Sequence, residues 1–400
     1  MKKSIYLLLF DTLSTIGSGI FTFTCSFYIL QQTGSGALFG SYLALLAVVN
    51  TVTMPIIGNW IDRHSNKLIL LGGQLLSIFS LGGFAVFYHN LFIVVFLLMM
   101  VLVIVDVIVK TIVSSNLKWI AGAHMERVVS VRQFIQSASI LVSPIIGDIL
   151  IAMLSIQQVA LINVFTELCA LIFIFLLSFK QGRRIEERQT FWQDFKVGVR
   201  YVYRMTEIKY LILFSLFLNF IVNALIVGMP ILIIQKLALT SQHLGWAESM
   251  LGFALVASGI VFTVKPIQTH LKKAYILAFI LQTVVFALLT FVLALPTPVA
   301  IVYGTILVCQ WLLGFSVTLG NIPYQIMLQH LVDEQLKSRV FSVNQSVVTA
   351  FVPLSYLLFG TLLPSYFITT LVGCMIAMLI LIVLFIKKMG DKTFKREFQL

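Results

Sequence analysis

The sequence predicts an all-α integral membrane protein, with twelve transmembrane helices arranged as two pseudo-symmetric bundles of six. Composition is the first of three observations behind this. Of 400 residues, 60% are hydrophobic and 10% charged, and the mean hydropathy is +1.03. Such a chain lacks the polar surface to face water, so the bilayer is its solvent. The second observation is internal repetition. Arg127-Val-Val-Ser-Val-Arg-Gln133 returns 212 positions later as Arg339-Val-Phe-Ser-Val-Asn-Gln345, and Tyr6-Leu-Leu-Leu-Phe10 returns 204 positions later as Tyr210-Leu-Ile-Leu-Phe214. Leu and Val runs recur by chance in apolar chains, so the repeated Arg, Ser and Gln are the informative matches. The third observation is that Lys and Arg fall on one side of the predicted spans.

Apolar runs of the roughly 20 residues that a bilayer requires are read at 5–30, 38–58, 68–88, 91–115, 133–154, 157–179, 210–234, 247–266, 273–294, 298–322, 341–363 and 365–386. The first follows Met-Lys-Lys and has no small-residue cleavage site before Gln31, so it reads as an uncleaved span rather than a signal peptide. Lys2 and Lys3 put the amino terminus in the cytoplasm. Counted from there, the two termini and the even-numbered connections hold every basic residue except Lys110 and Lys236. The organisation expected is a six-helix bundle at 1–179, a cytoplasmic linker at 180–209, a second bundle at 210–387 and a cytoplasmic tail at 388–400. The net charge of +12 is then a topology signal in a cell-membrane protein with both termini inside, not a nucleic-acid signature.

Four cysteines lie inside predicted spans without C-x-x-C spacing, the six histidines are scattered, and no phosphate-binding glycine loop is present. No catalytic residues, metal site or cofactor are therefore expected. In the linker, Phe191, Trp192, Phe195, Val199, Val202 and Tyr203 recur at helical spacing beside a basic row of Lys196, Arg200 and Arg204. This predicts an amphipathic helix whose basic face attracts anionic lipid headgroups. It serves either as a tether or as a regulatory surface.

After the second span comes Gly58-Asn-Trp-Ile-Asp62-Arg63-His-Ser-Asn-Lys67. This resembles the G-x-x-x-D-[RK]-x-G-[RK]-[RK] loop of the major facilitator superfamily, with Gly58, Asp62, Arg63 and Lys67 in register and departures at Ser65 and Asn66. Thr33-Gly-Ser35, the linker run and Pro144-x-x-Gly147 resemble the macrolide-efflux-like, drug:proton antiporter branch. The resemblance implies the major facilitator fold. It also implies that Asp62 docks near Arg339, or on the start of the eleventh helix, when the inner gate is shut. An acid there would relieve a cation held at the positive end of a helix dipole. The matching stretch of the second half has Gln268 where an acid is expected, so the latch belongs to the first half only. Gly58 is expected to let the chain leave the second helix with little steric bulk.

Ionisable residues inside spans are costly and point to function. Asp11, Asp106, Lys110, Asp148 and Glu167 qualify. Asp106 and Lys110, four apart, share a helix face and can form a structural ion pair. The resemblance places helices 1, 4, 7 and 10 around a central cavity, which makes Asp11, Asp106 and Lys110 cavity candidates; alternatively Asp11 snorkels to water. A carboxylate among apolar groups can exchange a proton as water access alternates, and the order of proton-coupling candidates is Asp148, Asp106, Glu167, Asp11. Ser14, Ser18 and Thr22 on the first helix, Asn219 and Asn223 on the seventh, and Gln310 and Trp311 on the tenth are substrate-cavity candidates, with interhelical hydrogen bonding as the alternative. Gly245, Gly252 and Gly259, spaced by seven, are expected to permit close helix packing. Sparse polar groups amid 33 Phe suggest a lipophilic solute.

The expected function is secondary active transport by alternating access, as proton-coupled efflux of small lipophilic, drug-like molecules by a monomer. Export or flipping of a specific lipid, peptide or metabolite is the alternative within transport. A non-transporting membrane sensor or scaffold is the alternative from another class.

Overall fold

A computed structural model of the chain describes residues 2–63, 65–89, 91–122, 125–177, 191–264, 271–333 and 336–389. The described residues are almost wholly helical, because in lipid each backbone N–H and C=O must be satisfied within its own segment. The helices are α1 (Lys2–Thr33), α2 (Gly36–Arg63), α3 (Asn66–Phe87), α4 (Phe92–Ala121), α5 (Met125–Met153), α6 (Ile156–Leu176), α7 (Phe191–Arg204), α8 (Thr206–Pro230) with a π-helical continuation at Ile231–Lys236, α9 (Ser241–Val264), α10 (Leu271–Ala294), α11 (Val299–Leu331), α12 (Lys337–Ala350) and α13 (Val352–Met389). The amphipathic linker run forms α7. The tail at 390–400 lies outside the described residues.

Eleven stretches among the described residues are long and apolar enough to cross a bilayer. The last, Arg339–Lys388, has 50 residues, about 75 Å of helix where roughly 30 Å would span. It holds two spans. Pro364 and the non-helical Tyr366 (φ −124°, ψ 45°) break it, and the packing on α8 runs in opposite senses on either side. Before the break, Ser355 and Leu363 lie beside Asn223 and Gly228. After it, Phe367 is again beside Gly228, while Phe385 packs edge-on to Phe214 near the start of α8. The chain thus turns back at Pro364, giving the twelve spans of the predicted fold.

The chain divides into two compact units. Unit 1 comprises residues 1–186 and 233–252; unit 2 comprises 187–232 and 253–400. In unit 1, α1 packs against α5 and α6, α3 against α4 and α6, and α2 against α4. Their core gathers Leu7, Phe10, Leu70, Ile112, Val113, Ala170 and Ile174, all essentially inaccessible. In unit 2, α10 pairs with α11, α8 with α13 and α7 with α12. Phe385 is fully buried there among Phe214, Tyr275 and Phe279. Phe79 (72% exposed), Phe87 (77%) and Phe291 (67%) instead point outward, the large apolar surface that lipid rather than water would cover.

Within unit 1, the first half of α9 lies against α5 at nearly backbone contact. A Cβ on Gly252 would stand 2.7–2.9 Å from the backbone of Ile140 and Leu141, and one on Gly245 would stand 3.1 Å from the Pro144 carbonyl. Only glycine permits this approach. Pro144 sits inside α5 and denies the Ile140 carbonyl its helical donor. One residue on, Ser249 Oγ donates to the Leu141 carbonyl at 2.9 Å, a side-chain bond that joins α9 to α5. A Cβ at Gly259 meets no described atom within 4 Å, so close packing is seen at two of the three spaced glycines.

Gly252→Leu must push α9 from α5, an overpacking cost of about 1–3 kcal/mol. The thermal midpoint of the purified protein should fall clearly, while Gly259→Leu should leave it nearly unchanged.

Candidate functional site

Unit 1 contains a cavity of about 630 Å³ bounded by α1, α4, α5 and α9. Helical periodicity builds its walls. On α1, Asp11, Ser14, Thr15, Ser18, Thr22 and Ser26 recur at steps of three and four and form one stripe; Arg132, Gln136, Ser139 and Ser143 do the same on α5. Asp106, Val109 and Lys110 come from α4, and Glu248 from α9. The two stripes meet closely, with Ser139 Oγ donating to the Thr15 carbonyl at 3.2 Å and lying 3.0 Å from Ser143 Oγ. Hydroxyl-bearing and charged residues are most of those that line it, while carbon atoms supply most of its surface. The few polar residues of these helices are concentrated on one face, with Phe23 the aromatic residue among them.

Two ion pairs form among the described residues. Arg132 Nε donates to Asp11 Oδ2 at 2.7 Å and Nη2 to Oδ1 at 3.3 Å, joining α5 to α1. Both side chains are mostly buried, at 11% and 8% exposed, so Asp11 is held by a cation and does not snorkel to water. A forked contact of this kind is the strong form of a charge-assisted hydrogen bond. Lys110 Nζ lies 3.6 Å from Asp106 Oδ2, one turn away on α4. This is the pair that their spacing suggested, and it is more open to the cavity than the first.

Glu167 on α6 is only 3% exposed. Gln74 Nε2 from α3 donates to its Oε2 and, at 3.1 Å, to its backbone carbonyl, while Ser18 Oγ donates to Oε1 at 3.3 Å. Ser18 also lines the cavity, so this carboxylate sits one hydroxyl behind the wall. Asp148 is buried on α5, off the cavity lining, and its Oδ1 has no hydrogen-bond partner among the described residues.

The remaining candidates belong to unit 2 or to the loop motif. Asn219 donates to the Ser215 carbonyl of its own helix at 2.8 Å, and Asn223 donates to Ser355 Oγ at 2.8 Å, an interhelical bond. Gln310 is buried with an unpartnered Oε1. Trp311 is partly exposed and stacks on Phe315 with centroids 5.7 Å apart. In the motif, Lys67 Nζ donates to the Phe175 carbonyl at 3.0 Å, a cation satisfying the last turn of α6. Helix α2 continues through Gly58 to Arg63, so the chain leaves it five residues later than expected, since a single glycine weakens a helix without ending it. The side chains of Asp62 and Arg63 lie outside the described residues. Arg339 is partly buried in the first turn of α12.

Sequence reasoning missed Glu248, Arg132 as the partner of Asp11, and Gln74. Glu248 was legible in principle, as an acid in the second position of a predicted span. Nothing in the sequence links Arg132 to Asp11 across 121 positions.

Asp11→Asn should leave a buried guanidinium without its counter-charge, a loss of about 3–5 kcal/mol. The double change Asp11→Asn with Arg132→Gln should recover much of the thermal midpoint lost by either single change. Additive losses in that cycle would mean that the contact contributes nothing.

The Major Facilitator Superfamily model matches residues 7–355. The "Uncharacterized MFS-type transporter YfiS" of Bacillus subtilis (strain 168) is 25% identical over 280 residues, covering 64% of this chain and 65% of that protein, just under two thirds of its length. The nucleoside transporter NupG shares the fold with a TM-score of 0.77 at 14% identity, over 98% of this chain and 100% of that one. A bacterial homologue of the iron transporter ferroportin in the inward-facing state gives 0.72 at 17% identity over 98% and 99%, and a D-xylose-proton symporter 0.72 at 12% over 99% and 98%. Family and fold are those of transporters, not enzymes. With its all-helical twelve-span architecture and a family match over most of its length, this chain is a multi-pass membrane protein belonging to the Major Facilitator Superfamily.

Proposed function

We propose that the chain is a proton-coupled secondary transporter working by alternating access, with the unit 1 cavity as part of the solute path and Glu167 as the proton-carrying group. The observation that carries this reading is the Ser18 hydroxyl, which lines the cavity and donates to a buried carboxylate. Asp11 and Asp106 each hold a cation, whereas Glu167 is answered by neutral donors alone. A carboxylate so enclosed can exchange a proton when water reaches the cavity, which is the need of a coupled transporter. Among the described residues two further acids have no cation: Asp148, which is buried but lies off the cavity lining, and Glu248, which lines the cavity but is only partly buried. Export driven by proton entry is the direction proposed. The hydroxyl-rich wall favours a solute with hydrogen-bonding groups. Export of lipophilic compounds is the second reading, supported by Trp311 stacked on Phe315 in unit 2.

The loop motif belongs to the same proposal, with Asp62, aided by Gly58, Arg63 and Lys67, latching the inner side against Arg339 or the start of α12. The setting proposed is the cell membrane, with both termini cytoplasmic and a single chain as the working unit.

Everted vesicles with an imposed pH gradient test the coupling. Glu167→Gln should cut gradient-driven accumulation at least about tenfold, roughly 1.4 kcal/mol, while solute exchange without a gradient persists. Wild-type accumulation by that variant would remove Glu167 from the mechanism. Asp62→Asn should slow transport and shift the balance of inward- and outward-open states measured by cysteine accessibility; an unchanged balance would remove the latch.

A further inference from the structure

The unit 1 cavity holds more acid than base. Three carboxylates line it, from Asp11, Asp106 and Glu248, against two cations, Arg132 and Lys110. Each cation is already engaged by a carboxylate, Arg132 by Asp11 at 2.7 Å and Lys110 by Asp106 at 3.6 Å. Glu248 alone among these five forms no hydrogen bond or ion pair with any described residue, although it is partly buried on α9. A charge removed from bulk water and left uncompensated is unfavourable, and a cavity walled by low-dielectric helices focuses its field. The vacant complement is one positive charge.

The rest of the wall narrows what carries that charge. Ser14, Thr15, Ser139, Ser143 and the Gln136 amide offer donors and acceptors around the same space. Among the described residues no group of three His, Cys, Asp or Glu side chains is placed to hold a metal ion. A volume of about 630 Å³ is that of a small-molecule site. We infer that Glu248 is the binding residue for the ammonium group of a hydrophilic organic monocation, an amine that also bears hydroxyls, with the α1 and α5 stripes receiving those hydroxyls. This deepens the transport reading and rests on it only for the claim that the bound amine is moved. The Asp11–Arg132 and Asp106–Lys110 pairs keep the rest of the cavity neutral, so a dication or an anion is matched less well than a monocation.

The test uses the full chain in detergent and matched probes, glucosamine against glucose and N-methylglucamine against sorbitol, with affinity measured by thermal stabilisation. At least one amine should bind wild type at least about tenfold more tightly than its neutral partner. Glu248→Gln should erase that preference, and Glu248→Asp, which keeps the charge, should retain it; the preference is a ratio within one protein, so a general loss of stability does not mimic the result. The proposal is overturned if wild type binds no amine, if amine and neutral partner bind alike, or if Glu248→Gln keeps the preference. Counterflow of the same probes in proteoliposomes separates the two readings. An amine that binds through Glu248 but is never moved would remove transport and leave the site. Amine and glucose moved alike, and equally by wild type and Glu248→Gln, would keep transport and remove the amine site.

Discussion

The contact between Asp11 and Arg132 is the constraint around which unit 1 is organised. Neither group is stable alone among apolar helices, so each fixes where the other's helix can be. The fork sets the rotation of α1 and α5 together. With both helices so turned, the serines and threonines that follow at steps of three and four face the same space, and Gly147, whose Cβ would lie 3.3 Å from the Ile20 carbonyl, lets the two backbones run close farther along. Cavity, hydroxyl wall and the route through Ser18 to Glu167 all follow from that rotation.

The same pair shows how the duplication diverged. Arg132 occupies the sixth position of the repeated heptapeptide, where the second copy has Asn344. The repeat that aligns Tyr6 with Tyr210 sets Ser215 opposite Asp11. In unit 2 the hydroxyl of Tyr324 donates to Asn344, a neutral bond in place of an ionic one. Both halves have the helical frame and the polar positions, and the charges stand in the first half alone. The two halves of this chain are thus similar as scaffolds and unequal as chemistry at these positions.

The fold was nearly all legible because a bilayer imposes length and apolarity on every span, and these survive in any sequence that crosses it. Even the continuous run from Arg339 to Lys388 was divisible, since Pro364 marks the turn. The site was legible only where its contacts were local. Asp106 and Lys110 announce themselves by a spacing of four, whereas the partners of Asp11 and Glu167 come from other helices. Glu248 was hidden by a boundary: α9 starts at Ser241, before the apolar run at 247, so the acid lies about two turns inside a helix rather than at its mouth. A solvated start of this kind is polar by composition and helical by packing.

Chain order and packing order do not coincide. Residues 233–252 belong by sequence to the second repeat and by contact to the first unit, where Gly245 and Gly252 cover the face of α5 weakened by Pro144. A single repeat would therefore lack one packing partner, and the partner it needs is a segment of another copy of itself. Seen this way, the duplication did more than lengthen the gene. It made intramolecular an exchange of helical surface that two separate copies would have had to find by association.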